Sequence, residues 1–399
     1  MKWEKKKLCE CTEYITDGDH QPAPKADKGV HFIKIKDIVN NQVSFDAQVY
    51  VPQEYYDNLP MERKPQKEDV LYTVVGSFGI PSYVQTDELF CFERNIALLH
   101  PNKDIEPRFL YYSLKNPAFY KGVEIVANGS AQKLIPLSKL KDLKISVPDK
   151  EAQRHIADIL SAYDDLIENN QKQIKLLEEA AQRLYKEWFV DLNFPGHENT
   201  KIVDGVPEGW SVYPFSSKVD IMSGGTPKTS IPDYYNGKIP FYTPKDSDGA
   251  FFAYKTQINI TEGGLKNCNS RLYPPKTVII TARGTVGKTT ILAVPMAMNQ
   301  SCYALKMKEN DAPYYLFFAL NNEIKALQTM ANGGVFNTII GKNFDSINIQ
   351  IPKDPLIYGF EKTVRPFMEQ IKNKLQANSK LVEARDRLLP KLMSGEVKV

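Results

Sequence analysis

No apolar run in this 399-residue sequence approaches the length of a membrane span, and its opening residues, MKWEKKKLCE, hold no hydrophobic leader segment. No membrane association is expected, and a cytoplasmic location is. Cysteine is scarce and odd in number, at Cys9, Cys11, Cys91, Cys268 and Cys302, which fits reduced thiols and not a disulfide framework. Cys9-x-Cys11 lacks a second Cys or His pair at ligand spacing, so no metal site is expected. Histidine is rarer than lysine by far, and none of the five stands with a Ser or Cys nucleophile in a recognisable motif, so nucleophilic catalysis has no positive signal. Neither sign of charge dominates. The 51 Lys and Arg against 48 Asp and Glu leave a net +3, which permits a polyanionic partner without arguing for one.

The chain is too long for one ordinary core, so two or more domains are expected. One stretch, Ile279-Ile-Thr-Ala-Arg-Gly-Thr-Val-Gly-Lys-Thr-Thr290, invites comparison with a phosphate-binding loop. The G-x-x-x-x-G-K-[ST] pattern needs a first glycine at 282, and Ala282 stands there. Self-similarity weakens that reading further. Pro107-Arg-Phe-Leu-Tyr-Tyr-Ser-Leu114 aligns with Pro313-Tyr-Tyr-Leu-Phe-Phe-Ala-Leu320, and Asn128-Gly129 with Asn332-Gly333. Leu140–Glu151 lies over Phe344–Pro355, at a constant spacing of 204 from residue 128 onward. In this frame the twin of the opening stretch is Val70–Ser82, which keeps the buried strand and the G-x-x-G turn but has Gly79-Ile-Pro where the other has Gly287-Lys-Thr. A shared phosphate role does not fit. Divergent tips on matching loops read as two different recognition surfaces on one scaffold. The paired aromatics Tyr111-Tyr112 and Phe317-Phe318 lie in apolar helical runs and read as core.

Each half ends in a long helical segment. Glu151 to Phe189 contains no Pro or Gly, and its apolar residues recur in heptads: Leu160, Ile167, Ile174, Ala181 and Trp188 in one series, Ile156, Tyr163, Leu177 and Leu184 in the other, with Asn170 the polar entry. The second copy sets Phe360, Phe367, Leu381 and Leu388 against Val364, Ile371 and Leu392, interrupted by Lys374, Asn378 and Arg385. At roughly 1.5 Å per residue the first segment spans on the order of 57 Å, more than its own domain needs for cover, so each helix is expected to pair with the other copy. Asn170 and Asn378 are read as repeat-equivalent positions, and a buried polar pair there would fix register. The second helix is expected to kink at Pro366 and to end near Pro390. Val190 to Trp210, rich in Pro, Gly and Asn, reads as a connector.

On these residues the chain resembles the specificity (S) subunits of type I restriction-modification systems. Glu178–Glu198 leading into Val206-Pro-Glu-Gly-Trp210 is similar to the family's central helix and its exit. Ile221-Met-Ser-Gly-Gly-Thr-Pro-Lys-Thr-Ser230, Ile239–Asp246 and Ile280–Lys288 resemble parts of its target recognition domains, with Ile15–His20 and Phe32–Ile38 in the matching places of the first half. The resemblance implies an α+β protein: two repeat-related α/β target recognition domains at 1–148 and 209–352, separated by conserved helices at 149–190 and 353–399 that form an antiparallel coiled coil and act as a spacer, with a linker at 191–208. It implies a non-catalytic chain, without a cofactor of its own, that reads a bipartite double-stranded DNA target. Two methyltransferase (M) subunits would supply adenine methylation with S-adenosylmethionine, and restriction (R) subunits ATP- and Mg-dependent cleavage. The only Pro-Pro, Pro274-Pro275, is flanked by Tyr273 and Lys276, so the [DNS]-P-P-[FY] tetrapeptide of an adenine methyltransferase is missing.

Such recognition needs phosphate contacts that position and base-edge contacts that specify. For phosphate the candidates are Lys34, Lys36, Lys133, Lys228, Lys245, Arg283, Lys288 and Lys342, each of which also reads as a solvated surface charge. For bases they are Ser77, Phe78, Ser130 and Gln132 in the first half and Thr285 and Phe336 in the second, where simple turn chemistry is the alternative. Helix pairing is expected through Leu160, Tyr163, Ile167, Asn170, Ile174, Leu177 and Leu184 against Phe367, Ile371, Asn378, Leu381 and Leu388.

Overall fold

A computed structural model describes residues 3–39, 41–127, 133–330 and 341–399, without the side chains of 325–330 and 341–343. Its contacts group into two compact units, Met1–Ile167 with Lys380–Val399, and Glu168–Ser379. The division falls inside both long helices, Lys150–Tyr185 and Asp354–Ser394, so each unit takes part of both.

The first unit is built on a four-stranded antiparallel sheet in the order Thr12–Asp17, Ile96–Pro101, Val70–Thr73, Pro81–Tyr83. Its central strands read as continuous apolar runs because both faces are covered. Val70, Tyr72, Ala97 and Leu99 face helix Pro107–Lys115 through Phe109, Leu110, Tyr112 and Leu114. The alternate residues Leu71, Ile96 and Leu98 pack on Ile33, Phe90 and Phe92 of a smaller sheet, in which Val30–Ile33 runs parallel to Phe90–Phe92.

The second unit repeats the plan. Its five strands follow the order Val219–Ser223, Cys302–Met307, Val278–Thr281, Thr289–Leu292, Phe252–Ala253, with only the last pair parallel. Val278, Ile280, Ile291 and Leu305 face helix Pro313–Met330, and Ile279, Leu292 and Ala304 face Tyr242, Met296 and Met298. Glu361 caps that helix: its carboxylate accepts the N–H of Tyr314 at 2.9 Å and of Tyr315 at 2.8 Å, two of the donors a helix start leaves without partners. A parallel pair, Tyr235–Tyr242 with Ala297–Met298, matches the small sheet of the first unit.

In the second unit the two long helices run antiparallel, since Asn170 Nδ2 donates to Asn378 Oδ1 at 2.8 Å while Tyr185 meets Phe360 edge to face at 5.9 Å. The buried seam there is Ile174, Ala181 and Tyr185 with Ile357, Phe360, Val364, Met368 and Ile371. In the first unit Ile156, Ala157 and Leu160 pack with Leu389, Leu392 and Met393. Phe367 and Leu388 pack half-buried against these clusters, as Leu177 and Leu184 do, while their neighbours Met368 and Leu389 are fully buried, because a straight helix drifts about 20° per heptad against a strict seven-residue series. The asparagines are not strict repeat equivalents: the 204-residue spacing sets Asn170 against Lys374, and antiparallel pairing is what brings Asn170 to Asn378. The second helix runs through both Pro366 and Pro390. The carbonyls those rings leave without a donor belong to Lys362 and Asp386, which are exposed and can turn to water. Finally, Arg385 does not disrupt the seam, because its guanidinium donates to Asp164, which also accepts the Tyr112 hydroxyl at 2.7 Å.

That carboxylate gathers a buried cluster. Lys115 Nζ lies 3.6 Å from Asp164 and 5.1 Å from the Tyr111 ring centre. Burial lowers the Lys115 pKa to about 8 despite the Asp164 charge, and raises those of Tyr111 and Tyr112 far above the usual phenol value. Between pH 8 and 10 the unfolded chain binds more protons at Lys115 than the folded one, so its contribution to stability rises with pH. The urea stability of the wild type relative to Lys115→Met is expected to increase by on the order of 2 kcal/mol from pH 7.5 to pH 10. A difference that stays flat with pH would show that Lys115 titrates normally.

Candidate nucleic-acid interface

The two tips are built alike around a buried threonine. In the first unit Thr73 Oγ1 donates to the Ser77 carbonyl at 2.7 Å and accepts the Ile80 N–H at 2.9 Å, while Gly79 N–H donates to the Thr73 carbonyl at 2.8 Å. In the second, Thr281 Oγ1 donates to the Thr285 carbonyl and accepts the Lys288 N–H at 3.1 Å, and Gly287 N–H reaches the Thr281 carbonyl at 2.9 Å. Both loops need two left-handed residues and place glycine there: Gly76 and Gly79 at φ 69° and 83°, Gly284 and Gly287 at 81° and 83°. The sequence signal is Thr-x-x-Gly-x-x-Gly at 73–79 and 281–287, of which only the glycine half was used above.

This geometry disposes of the phosphate-loop reading. The N–H groups of Gly287 and Lys288, which would have to cradle a phosphate, are engaged by Thr281. The segment that follows is strand Thr289–Leu292, not the helix such a loop requires.

Around these loops the structure gathers most of the candidates. In the first unit Ser77 is exposed and Phe78 half-buried, stacked on Tyr120 at 5.8 Å with 15° between the rings, and Lys133 Nζ sits 5.5 Å from the Phe78 ring centre. The Lys133 carbonyl accepts the Gly76 N–H at 3.1 Å. Exposed Lys36 and half-buried Lys34 occupy a turn whose Lys34 N–H donates to Asp37 at 2.9 Å. The segment after it is tied to the same loop by Asn41 Nδ2 donating to the Pro81 carbonyl at 2.8 Å. The equivalent turn of the second unit has Thr243 N–H on Asp246 at 2.8 Å and presents exposed Lys245. Thr285 Oγ1 donates to the Pro244 carbonyl at 3.3 Å, joining that turn to the tip, and Arg283 and Lys288 are exposed on the tip. Exposed Lys228 follows a loop whose Gly225 N–H donates to the Met298 carbonyl, and Ser301, close by in sequence, accepts the Ala282 N–H. Ser130, Gln132 and Phe336 lie outside the described residues, as does the side chain of Lys342. Tyr120, which braces Phe78, carried no sequence signal beyond an apolar helical pattern.

The tips differ in tolerance. A Cβ at Gly79 would stand 2.5 Å from the Tyr120 ring, whereas at Gly284 the nearest atom is 3.6 Å away in Pro244. Gly284→Ala carries the left-handed strain alone, about 1 kcal/mol, and Gly79→Ala must also displace Tyr120, so about 2–3 kcal/mol is expected. Thermal unfolding of the two variants checks this; equal losses would mean that the Phe78–Tyr120 stack does not brace the tip.

A family model described as the type I restriction modification DNA specificity domain matches residues 1–179 and again 207–378. The MjaIX specificity subunit of Methanocaldococcus jannaschii is 29% identical over 314 residues, covering 77% of this chain and 72% of that one. The HindI specificity subunit of Haemophilus influenzae is 24% identical over 438 residues, covering 92% and 94%. Among solved structures, the S subunit from M. genitalium superposes with a TM-score of 0.61 at 19% identity, covering 98% of this chain and 96% of that one, and so shares its fold. With the family's domain present twice over most of its length, the chain belongs to the DNA specificity subunits of type I restriction-modification systems.

Proposed function

We propose that each unit reads one half of a bipartite duplex target through its clamped tip, and that the chain positions methyltransferase and, in the full complex, restriction subunits on that DNA. The observation that carries this is a repeated frame with unlike tips. The threonine clamp and the lysine-bearing turn, Lys36 or Lys245, recur in both units, while Ser77-Phe78 in one faces Thr285-Val286 in the other. A frame that repeats supports phosphate positioning, and tips that differ support two different half-sites. Phe78 offers an apolar edge suited to a thymine methyl, and Thr285 a hydroxyl that reads several edges. Chemistry belongs to the partners in this reading: adenine methylation with S-adenosylmethionine in two M subunits, ATP- and Mg-dependent cleavage in R subunits. The missing [DNS]-P-P-[FY] tetrapeptide supports that division.

Replacing residues 209–352 by the corresponding domain of a relative is expected to change one half of the methylated motif and keep the other, as read by long-read detection of methylated adenine. A change in both halves at once would overturn independent reading. Lys133→Ala and Lys288→Ala are each expected to weaken binding to all duplexes alike and to lower the slope of log affinity against log salt by about one. An unchanged slope would return these lysines to ordinary solvated charges.

A further inference from the structure

Thr73 and Thr281 are fully buried, at the ends of the strands Val70–Thr73 and Val278–Thr281 that lead into the tips. Neither touches solvent, so neither meets DNA. Each nevertheless fixes the tip at two points across the loop, donating to a carbonyl four residues on and accepting an N–H seven residues on. The residues held in place between those points are Ser77, Phe78 and Gly79 in one unit, and Thr285, Val286 and Gly287 in the other. Backbone bonds close only the base of each loop, Thr73 N–H to the Ile80 carbonyl at 3.1 Å and Thr281 N–H to the Lys288 carbonyl at 2.9 Å. A valine of the same shape would take the hydroxyl from the Ser77 carbonyl and the Ile80 N–H in the first unit, and leave the Thr285 carbonyl and the Lys288 N–H only their long 3.4 Å bond to each other in the second.

We infer that Thr73 and Thr281 are positioning residues for base readout, each holding the reading edge of one half-site without contacting it. This rests on the reading that the tips touch base edges. Duplicated use of one clamp beneath tips of different sequence separates the two tasks. The hydroxyl sets where the edge stands, and the tip residues set what it recognises.

The test compares Thr73→Val, Thr281→Val, Thr73→Ser and Thr281→Ser in the complete complex with the chain's own modification subunits. It scores the methylated motif, the affinity for cognate against singly mismatched duplexes, and the salt slope. Thr73→Val is expected to lower discrimination roughly tenfold in one half-site only, Thr281→Val in the other only, with the salt slope unchanged. Both serine variants, which keep the hydroxyl, are expected to read as the wild type. A folded valine variant with an unchanged motif, relaxation in both halves, or serine as relaxed as valine would overturn the inference. Since the two sites are in different units, a valine variant that unfolds at one leaves the other to decide. A wild-type complex that methylates no bipartite motif would overturn the underlying reading and the inference with it. A bipartite wild-type motif unaffected by either valine would overturn the inference alone.

Discussion

One buried hydroxyl per unit is the contact on which the tip geometry depends. A loop that leaves a sheet carries backbone groups that no longer find ladder partners, and in a dry setting each is expensive to leave alone. Thr73 and Thr281 resolve this locally, so the loop is defined by its own first residue and not by whatever it binds. Glycines in the left-handed region then allow the chain to turn twice, and the residues between are free to vary in type without moving. A fixed frame with exchangeable tips lets residue type at the tip change while its position does not.

Beneath the tips, burial does most of the holding. In both units the sheet is covered on two faces, by a helix on one and a small sheet on the other, so its central strands lack the polar alternation of a one-sided sheet. Two of the carboxylates drawn into this packing have several partners each. Asp164 accepts from Tyr112 and Arg385, and Glu361 accepts two N–H groups at a helix start, though burial still raises its pKa to about 7. Removing Asp164 would leave the Arg385 guanidinium and the Tyr112 hydroxyl short of an acceptor, and removing Glu361 two helix-start N–H groups, and groups left unpaired in this way cost more than the intact contact contributes.

Much of this was legible in the sequence. The 204-residue repeat announced two copies of one fold, the apolar runs at 107–114 and 313–320 read as helical core, and the twin stretches at 70–82 and 279–290 read as a buried strand entering a turn. The long helices were legible from heptads, but their faces were not. A seven-residue count cannot say how far a straight helix has drifted, which is why Met368 and Leu389 are buried more deeply than Phe367 and Leu388 beside them. The second helix continues through Pro366 because a proline breaks a helix through a lost hydrogen bond, and that loss is small where the freed carbonyl faces water, as at Lys362; it ends at Ser394, close after Pro390. The clamp is not legible in the sequence because threonine in a strand is ordinary, and only the hydrogen bonds show what Thr73 and Thr281 hold.

The mild net charge of the chain is also explained by placement. Affinity for a polyanion depends on the cations that reach its phosphates, since each neutralised phosphate releases counterions, while charges farther than a Debye length of about 10 Å are largely screened. Lys36, Lys133, Lys245, Arg283 and Lys288 stand exposed on or beside the two tips. The turn carboxylates there, Asp37 and Asp246, already accept backbone N–H groups and serve to hold the lysine-bearing turns. Elsewhere acids and bases pair with each other, as Lys7 with Asp142 at 2.7 Å and Lys218 with Glu309 at 2.9 Å. A total of +3 is therefore compatible with exposed cations gathered at the two tips, because what a duplex would meet is the local field and not the sum.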